Sequence, residues 1–101
     1  MKYNQYPIKA KVWQYPGDAG WHFITVPKDI SDDIKKLFGG RARGWGSLRV
    51  TITLGSSTWD TSIFPDKKEG AYLLPLKANI RKKEHVLMGD TVDFLLEIKM
   101  K

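Results

Sequence analysis

A chain of 101 residues with 42% hydrophobic content is long enough for one domain around one core. It carries no cysteine, which excludes disulfide frameworks, thiol nucleophiles and thiolate metal sites together. The net charge of +6 and pI near 9.6 favour encounters with nucleic acid, anionic surfaces or acidic proteins without selecting among them.

No stretch approaches the roughly 20 apolar residues of a membrane span, and the start MKYNQYPIKAKV lacks the apolar core of a signal peptide. A cytoplasmic protein with no membrane partner is therefore expected. No linker, low-complexity tract or composition break divides the chain, so residues 1–101 read as a single domain.

From Tyr6 to Tyr15, Ile8, Ala10 and Val12 alternate with Lys9, Lys11 and Trp13, the pattern of a strand with one buried face. Pro16, Gly17, Asp18 and Gly20 make a turn, and Trp21 to Val26 follows as a second strand that Pro27 ends. Ile30, Ile34, Leu37 and Phe38 then recur at helical spacing. The expected N-cap is Asp29, with Asp32 and Asp33 toward the positive end of the dipole, Lys35 and Lys36 toward the negative end, and Gly39 as the stop.

The run GGRARGWG, from Gly39 to Gly46, reads as a flexible basic loop. Leu48, Val50, Ile52 and Leu54 alternate with Arg49, Thr51 and Thr53 in the next strand, which returns through a type II′ turn at Gly55 and Ser56 into Thr58 to Phe64. Pro65 to Gly70 is a charged loop. The last third, from Ala71 to Ile98, reads strand, short helix, turn, strand: Pro75 closes the strand and is placed to open the helix, Gly89 and Asp90 turn the chain, and Val92, Phe94, Leu96 and Ile98 alternate at strand period. The fold class is mainly β: one small barrel of about six strands with two short helices, in the order β-β-α-β-β-β-α-β.

The segment FITVPKDISDDIKKLFGG with SLRVTITL and the segment YLLPLKANIRKKEHVLMG with DTVDFLLEI share one pattern: strand, proline, short helix, glycine, strand. Aligning Pro27 with Pro75 leaves the apolar helical positions out of step, so duplication and convergence on a common turn both fit.

From about Tyr6 to Ile98, and most specifically at Ser62 to Pro65, Leu74 to Arg81 and Gly89 to Val92, the chain resembles the bacterial and archaeal family catalogued as domain of unknown function 1905. The resemblance implies a small closed or split β-barrel with two helices and brings no catalytic residues. Some relatives carry a further YdeI/OmpD-associated domain, which is not expected in this chain. More distantly, Leu74, Pro75, Ile80, Arg81, Gly89, Asp90 and Val92 are similar to the swapped-hairpin motif of AbrB-type regulators. In those proteins two chains build a DNA-binding double-split barrel, which implies that this chain, holding both units, builds one alone. The first copy lacks the Ile-Arg step and carries Asp32 and Asp33 where a basic pair would face DNA.

Enzyme chemistry finds little support. His22 and His85 lie far apart and in no ligand spacing, so surface or partly packed histidines are expected. Asp90 belongs to a turn, and Asp93 and Glu97 share a strand face toward solvent. The glycines of the basic loop with Arg41 and Arg43 invite a phosphate-binding reading, but the loop follows a helix rather than opening one and lacks a P-loop ending.

Trp13, Trp21, Trp45, Trp59 and Tyr72 are of the kind that stack on bases; Trp21 and Tyr72 are expected in the core, with Trp45 and Trp59 open between core and surface. The leading expectation is a non-enzymatic binding module without cofactor, monomer or dimer, for a ligand of anionic character. Its candidate contacts are Arg41, Arg43, Trp45, Arg49, Lys77, Arg81 and Lys82. The alternatives are nucleic-acid binding of the AbrB type, and a small-molecule binder or enzyme working inside a barrel filled otherwise by Ile8, Val12, Phe23, Val50, Ile52, Val92, Phe94 and Leu96.

Overall fold

The structure, a computed structural model, describes residues 3–17 and 20–100; Asp18 of the first expected turn lies outside them. The elements are β1 (Gln5–Gln14), β2 (His22–Thr25), α1 (Lys28–Phe38), β3 (Leu48–Leu54), β4 (Ser57–Asp66), β5 (Ala71–Pro75), α2 (Ala78–Lys83) and β6 (Thr91–Ile98), the order expected from the sequence. Two short 3-10 turns, Gly39–Arg41 and Gly44–Gly46, replace the loop between α1 and β3. All strand pairs are antiparallel, and the ring β1-β2-β5-β4-β3-β6 closes on itself.

Closure is possible because two long strands serve two partners each. Gln5 to Lys11 of β1 pair with β6 and Val12 to Gln14 with β2, while Ser57 to Ile63 of β4 pair with β3 and Phe64 to Asp66 with β5. Exchanging β1 with β4, β2 with β5 and β3 with β6 reproduces the same ring, so the topology is two-fold. Ile24 and Leu74 pair with each other at the centre of the β2·β5 contact.

Counting outward from that pair brings Pro27 opposite Lys77, Ile30 opposite Ile80, Leu37 opposite Leu87 and Gly39 opposite Gly89. The backbone follows the same count: Val26 N–H donates to Tyr72 O and Leu76 N–H to His22 O, and Ser31 N–H donates to Pro27 O and Arg81 N–H to Lys77 O. Of the four apolar positions that slip when the prolines are matched, Ile30, Leu37 and Phe38 fall into step with Ile80, Leu87 and Met88, while Ile34 answers to Glu84.

Period-two alternation fills the interior. Ile8, Val12, Ile24, Val50, Ile52, Ile63, Leu74, Phe94, Leu96 and Ile98 are all buried, and α1 adds Ile34 and Phe38 to the same cluster. Phe23 is not part of it, because Ile24 of β2 and Val26 just beyond the strand point inward and leave Phe23 facing out; Val92, at the start of β6, is only half-buried. Tyr6 ties β1 to α1 by donating to Asp33 Oδ2 at 2.7 Å, and burial together with that carboxylate pushes its phenol up.

Three helix-end expectations change. Pro27 is the N-cap of α1 in place of Asp29, whose Oδ1 instead accepts from the N–H of Ile30. Gly39 keeps right-handed geometry, φ −56°, so α1 ends by tightening into a 3-10 turn rather than through a left-handed glycine. Pro75 is the last residue of β5, paired with Phe23, and Lys77 caps α2.

Leu37 is also misplaced by its spacing, being 54% exposed. The buried stripe of α1 is Ser31, Ile34 and Phe38, with the Ser31 hydroxyl donating to Val26 O and accepting from Tyr72 N–H. The β3–β4 turn keeps its expected form, with Leu54 paired to Ser57 and positive φ, 58°, at Gly55.

Truncating the central pair should cost far more than truncating the misplaced leucine. Leu74→Ala is expected to lower stability by about 2–5 kcal/mol and Leu37→Ala by about 0.5 kcal/mol or less, read from urea unfolding.

Candidate functional site

The seven candidate contacts separate into two groups. Arg41, Arg43, Trp45 and Arg49 belong to the connection from α1 into β3. There Arg41 Nη1 donates to Met100 O at 3.0 Å and Arg49 Nη1 to Ser62 Oγ at 3.0 Å, so both guanidinium groups are engaged in holding the surface. Beside them Asp60 accepts from Thr51 and Lys99, and these bonds, Thr51 foremost, keep its carboxyl below the usual range. Trp45 is 93% exposed and sits at φ 65°, a left-handed conformation unusual for a bulky residue.

Lys77, Arg81 and Lys82 belong to α2 and its N-cap. Lys77 borders a groove of about 300 Å³ formed where the start of β2 meets the end of β5, lined by Trp21, His22, Phe23, Pro75 and Leu76. Arg81 and Lys82 line the adjoining depression with His85, Val86 and Leu87.

Arg81 joins the two: Nε donates to Leu76 O and Nη2 to Gly20 O, each at 3.1 Å, so the side chain fastens the residue preceding Trp21 to the helix. Its partner by the two-fold count, Ser31, makes the corresponding bond to Val26 O. The helix then ends through His85 at φ 57°, with Val86 N–H donating back to Arg81 O.

Trp21 corrects an expectation. It is 60% exposed rather than core, whereas Tyr72 is buried as expected and Trp59 is half-buried against the core. Parity in β2 was the available signal: with Ile24 and Val26 inward, Trp21 and Phe23 must face out. Cross-strand pairing sets Phe23 beside Trp13, ring centroids 5.2 Å apart and tilted by 35°, and Trp21 lies 6.1 Å from Phe23 with a tilt of 45°. Trp13 is held by its indole N–H donating to Thr25 Oγ1 at 2.9 Å. Three aromatic rings thus cluster on the outside of the barrel, with Trp21 and Phe23 sharing a groove with Lys77.

The far end of α2 is clamped to the barrel. Glu84 accepts from the Ser56 and Ser57 hydroxyls at the β3–β4 turn, and these bonds, that from Ser57 first, hold its carboxyl below the usual range. A Cβ on Gly55 would run into that carboxylate. Of the carboxylates singled out in the sequence, Asp90 Oδ2 accepts from Leu87 N–H and Glu97 accepts from Gln5, while Asp93 is exposed.

Fold and site together define a small, internally two-fold antiparallel β-barrel with a cationic aromatic groove on one flank. The profile described as "Domain of unknown function (DUF1905)" matches residues 9–96, and the chain belongs to that family. No curated protein matches the chain. Among the described residues, no helix is long and apolar enough to cross a membrane.

Two outcomes are expected from the contacts of α2. Arg81→Met should lower stability by about 1–3 kcal/mol in urea unfolding, since it strips two carbonyls of a charged donor. Glu84 has a lowered folded pKa, so its stabilising effect is present above the unfolded carboxylate pKa of about 4.3 and is lost as pH falls through the lower folded value. Glu84→Gln should therefore melt below the parent at neutral pH, and the gap in Tm should close on acidification.

Proposed function

We propose that this domain is a non-enzymatic binding module whose groove beside α2 takes an anionic ligand. The observation that carries the reading is the joining of an apolar floor, Trp21, Phe23, Pro75 and Leu76, to Lys77 at the groove and to Arg81 and Lys82 next to it. An apolar surface beside converging cations binds the body of a ligand by desolvation and orients its charge. Lys77 and Lys82 have no hydrogen-bonding side-chain partner among the described residues, so they are the cations left to meet it, while Arg81 is a positioning residue.

The absence of a catalytic role is likewise part of this proposal. Asp60 and Glu84 have lowered pKa values caused by neighbouring hydroxyl donors, which stabilises them as anions instead of poising them as proton donors. The barrel interior, where a small-molecule binder or enzyme would work, is occupied by Val12, Ile24, Val50, Ile52, Leu74 and Leu96, each at most 1% exposed.

Duplex DNA binding of the AbrB type is the second reading. It draws on the two-fold barrel and on the net charge of +6. It is weakened by the commitment of Arg81, the arginine of the resembling motif, to two carbonyls of its own chain.

The test is titration with pyrophosphate followed by amide NMR shifts. The proposal expects shifts at Lys77, Ala78 and Lys82, and about tenfold weaker binding, roughly 1.4 kcal/mol, in the Lys77→Ala/Lys82→Ala double variant. Shifts confined to Arg41, Arg43 and Gly44 would move the site to the α1–β3 connection, and no shift anywhere would end the anion reading.

A further inference from the structure

The two-fold barrel contains its own control. The groove beside α2 has a counterpart between α1 and the β4–β5 connection, lined by Lys28, Ser31, Asp32, Lys35, Ala71 and Tyr72 among others. Counting from Ile24·Leu74, Gly20 answers to Gly70, and both have positive φ, so the backbone at the two places is alike. The side chains are not.

Trp21 stands where the other half has Ala71, Phe23 where it has Leu73, Lys77 where it has Pro27, and Lys82 where it has Asp32. The counterpart shows what folding requires at this place in the barrel: a small buried Ala71, and an Asp32 paired with Lys28. Trp21 and Phe23 add flat rings and Lys77, Arg81 and Lys82 add positive charge around the α2 groove, while Ala78 and His85 stand where the other half carries Lys28 and Lys35. Folding gains little from a tryptophan left 60% exposed.

Resting on the reading of this groove as an anion site, we propose that it binds single-stranded nucleic acid, with bases stacked on Trp21 and its aromatic neighbours and phosphates paired with Lys77 and Lys82. Three observations select this occupant. Trp13, Phe23 and Trp21 cluster with centroid separations of 5.2 and 6.1 Å and tilts of 35° and 45° on the outer face of paired strands, so that the exposed Trp21 offers a stacking surface backed by two half-buried rings. The cations adjoin the rings, as backbone phosphates adjoin stacked bases. A groove of about 300 Å³ admits a ring offered by an unpaired strand, whereas a duplex keeps its rings stacked inside.

Fluorescence anisotropy with ten-nucleotide single strands of DNA and RNA, their duplexes and adenosine monophosphate, together with NMR of the indole N–H signals, tests this. Single strands should bind more tightly than duplexes, shift the Trp21 and Trp13 indoles and the Lys77 amide, and lose about tenfold or more in affinity in Trp21→Ala with an unchanged melting temperature. Lys77→Ala and Lys82→Ala should each reduce the slope of log affinity against log salt by about 0.7.

Preference for duplex, or a loss on Trp45→Ala with Trp21→Ala unaffected, overturns the stacking site while pyrophosphate shifts at Lys77 still uphold the anion reading. Tighter binding of adenosine monophosphate than of any strand makes the ligand a free nucleotide and overturns the single-strand assignment. Silence at Lys77 toward every phosphate probe overturns both readings.

Discussion

The pairing of β2 with β5 through Ile24 and Leu74 is the constraint on which the rest of the barrel depends. Both residues are fully buried, and both strands are short, so neither could persist as an isolated hairpin. Held against each other, they fix where β1 and β4 must turn from one set of partners to the other. Every strand then has two neighbours, and the closed ring leaves no long edge for another chain to extend.

The same constraint places the helices. Because Val26 and Tyr72, and Leu76 and His22, exchange equivalent backbone bonds, the chain leaves β2 and β5 in the same geometry and enters a helix after the same number of residues. What differs is the side chain that satisfies the carbonyl just past each strand. Ser31 does this at Val26 with a short hydroxyl that also accepts from Tyr72 N–H, a compact and buried solution. Arg81 does it at Leu76 with a guanidinium long enough to reach Gly20 as well, and so brings positive charge to the strand start that carries Trp21.

One architecture thereby supports two unlike surfaces. On the α1 side Tyr72 is sealed by the helix and Lys28 is neutralised by Asp32, a surface ion pair of little energetic weight that still removes a free cation. On the α2 side the helix is shorter, its last turn carries Arg81, Lys82 and Lys83, and of the aromatic rings beside it Trp21 stays open to solvent while Trp13 and Phe23 are half-buried. Internal symmetry that leaves stability to the shared core frees one flank to change its chemistry.

Much of this was legible in the residues. Alternation in β1, β3 and β6, the Gly55-Ser56 turn and the apolar spacing of α1 are local signals, each set by the geometry of a single element, and they specify the eight elements, their order and most of the core. The internal echo was legible too, but its register was not: the prolines are the conspicuous match, whereas the two-fold count centred on the Ile24·Leu74 pair makes Pro27 equivalent to Lys77 instead. Hydrogen-bond register between strands far apart in sequence is a tertiary quantity, and no local pattern contains it. The same applies to the site. Parity alone could have turned Trp21 and Phe23 outward, yet only the folded chain sets them beside α2, and only the contacts of Arg41, Arg49 and Arg81 set these three arginines apart from Lys77 and Lys82 at the groove.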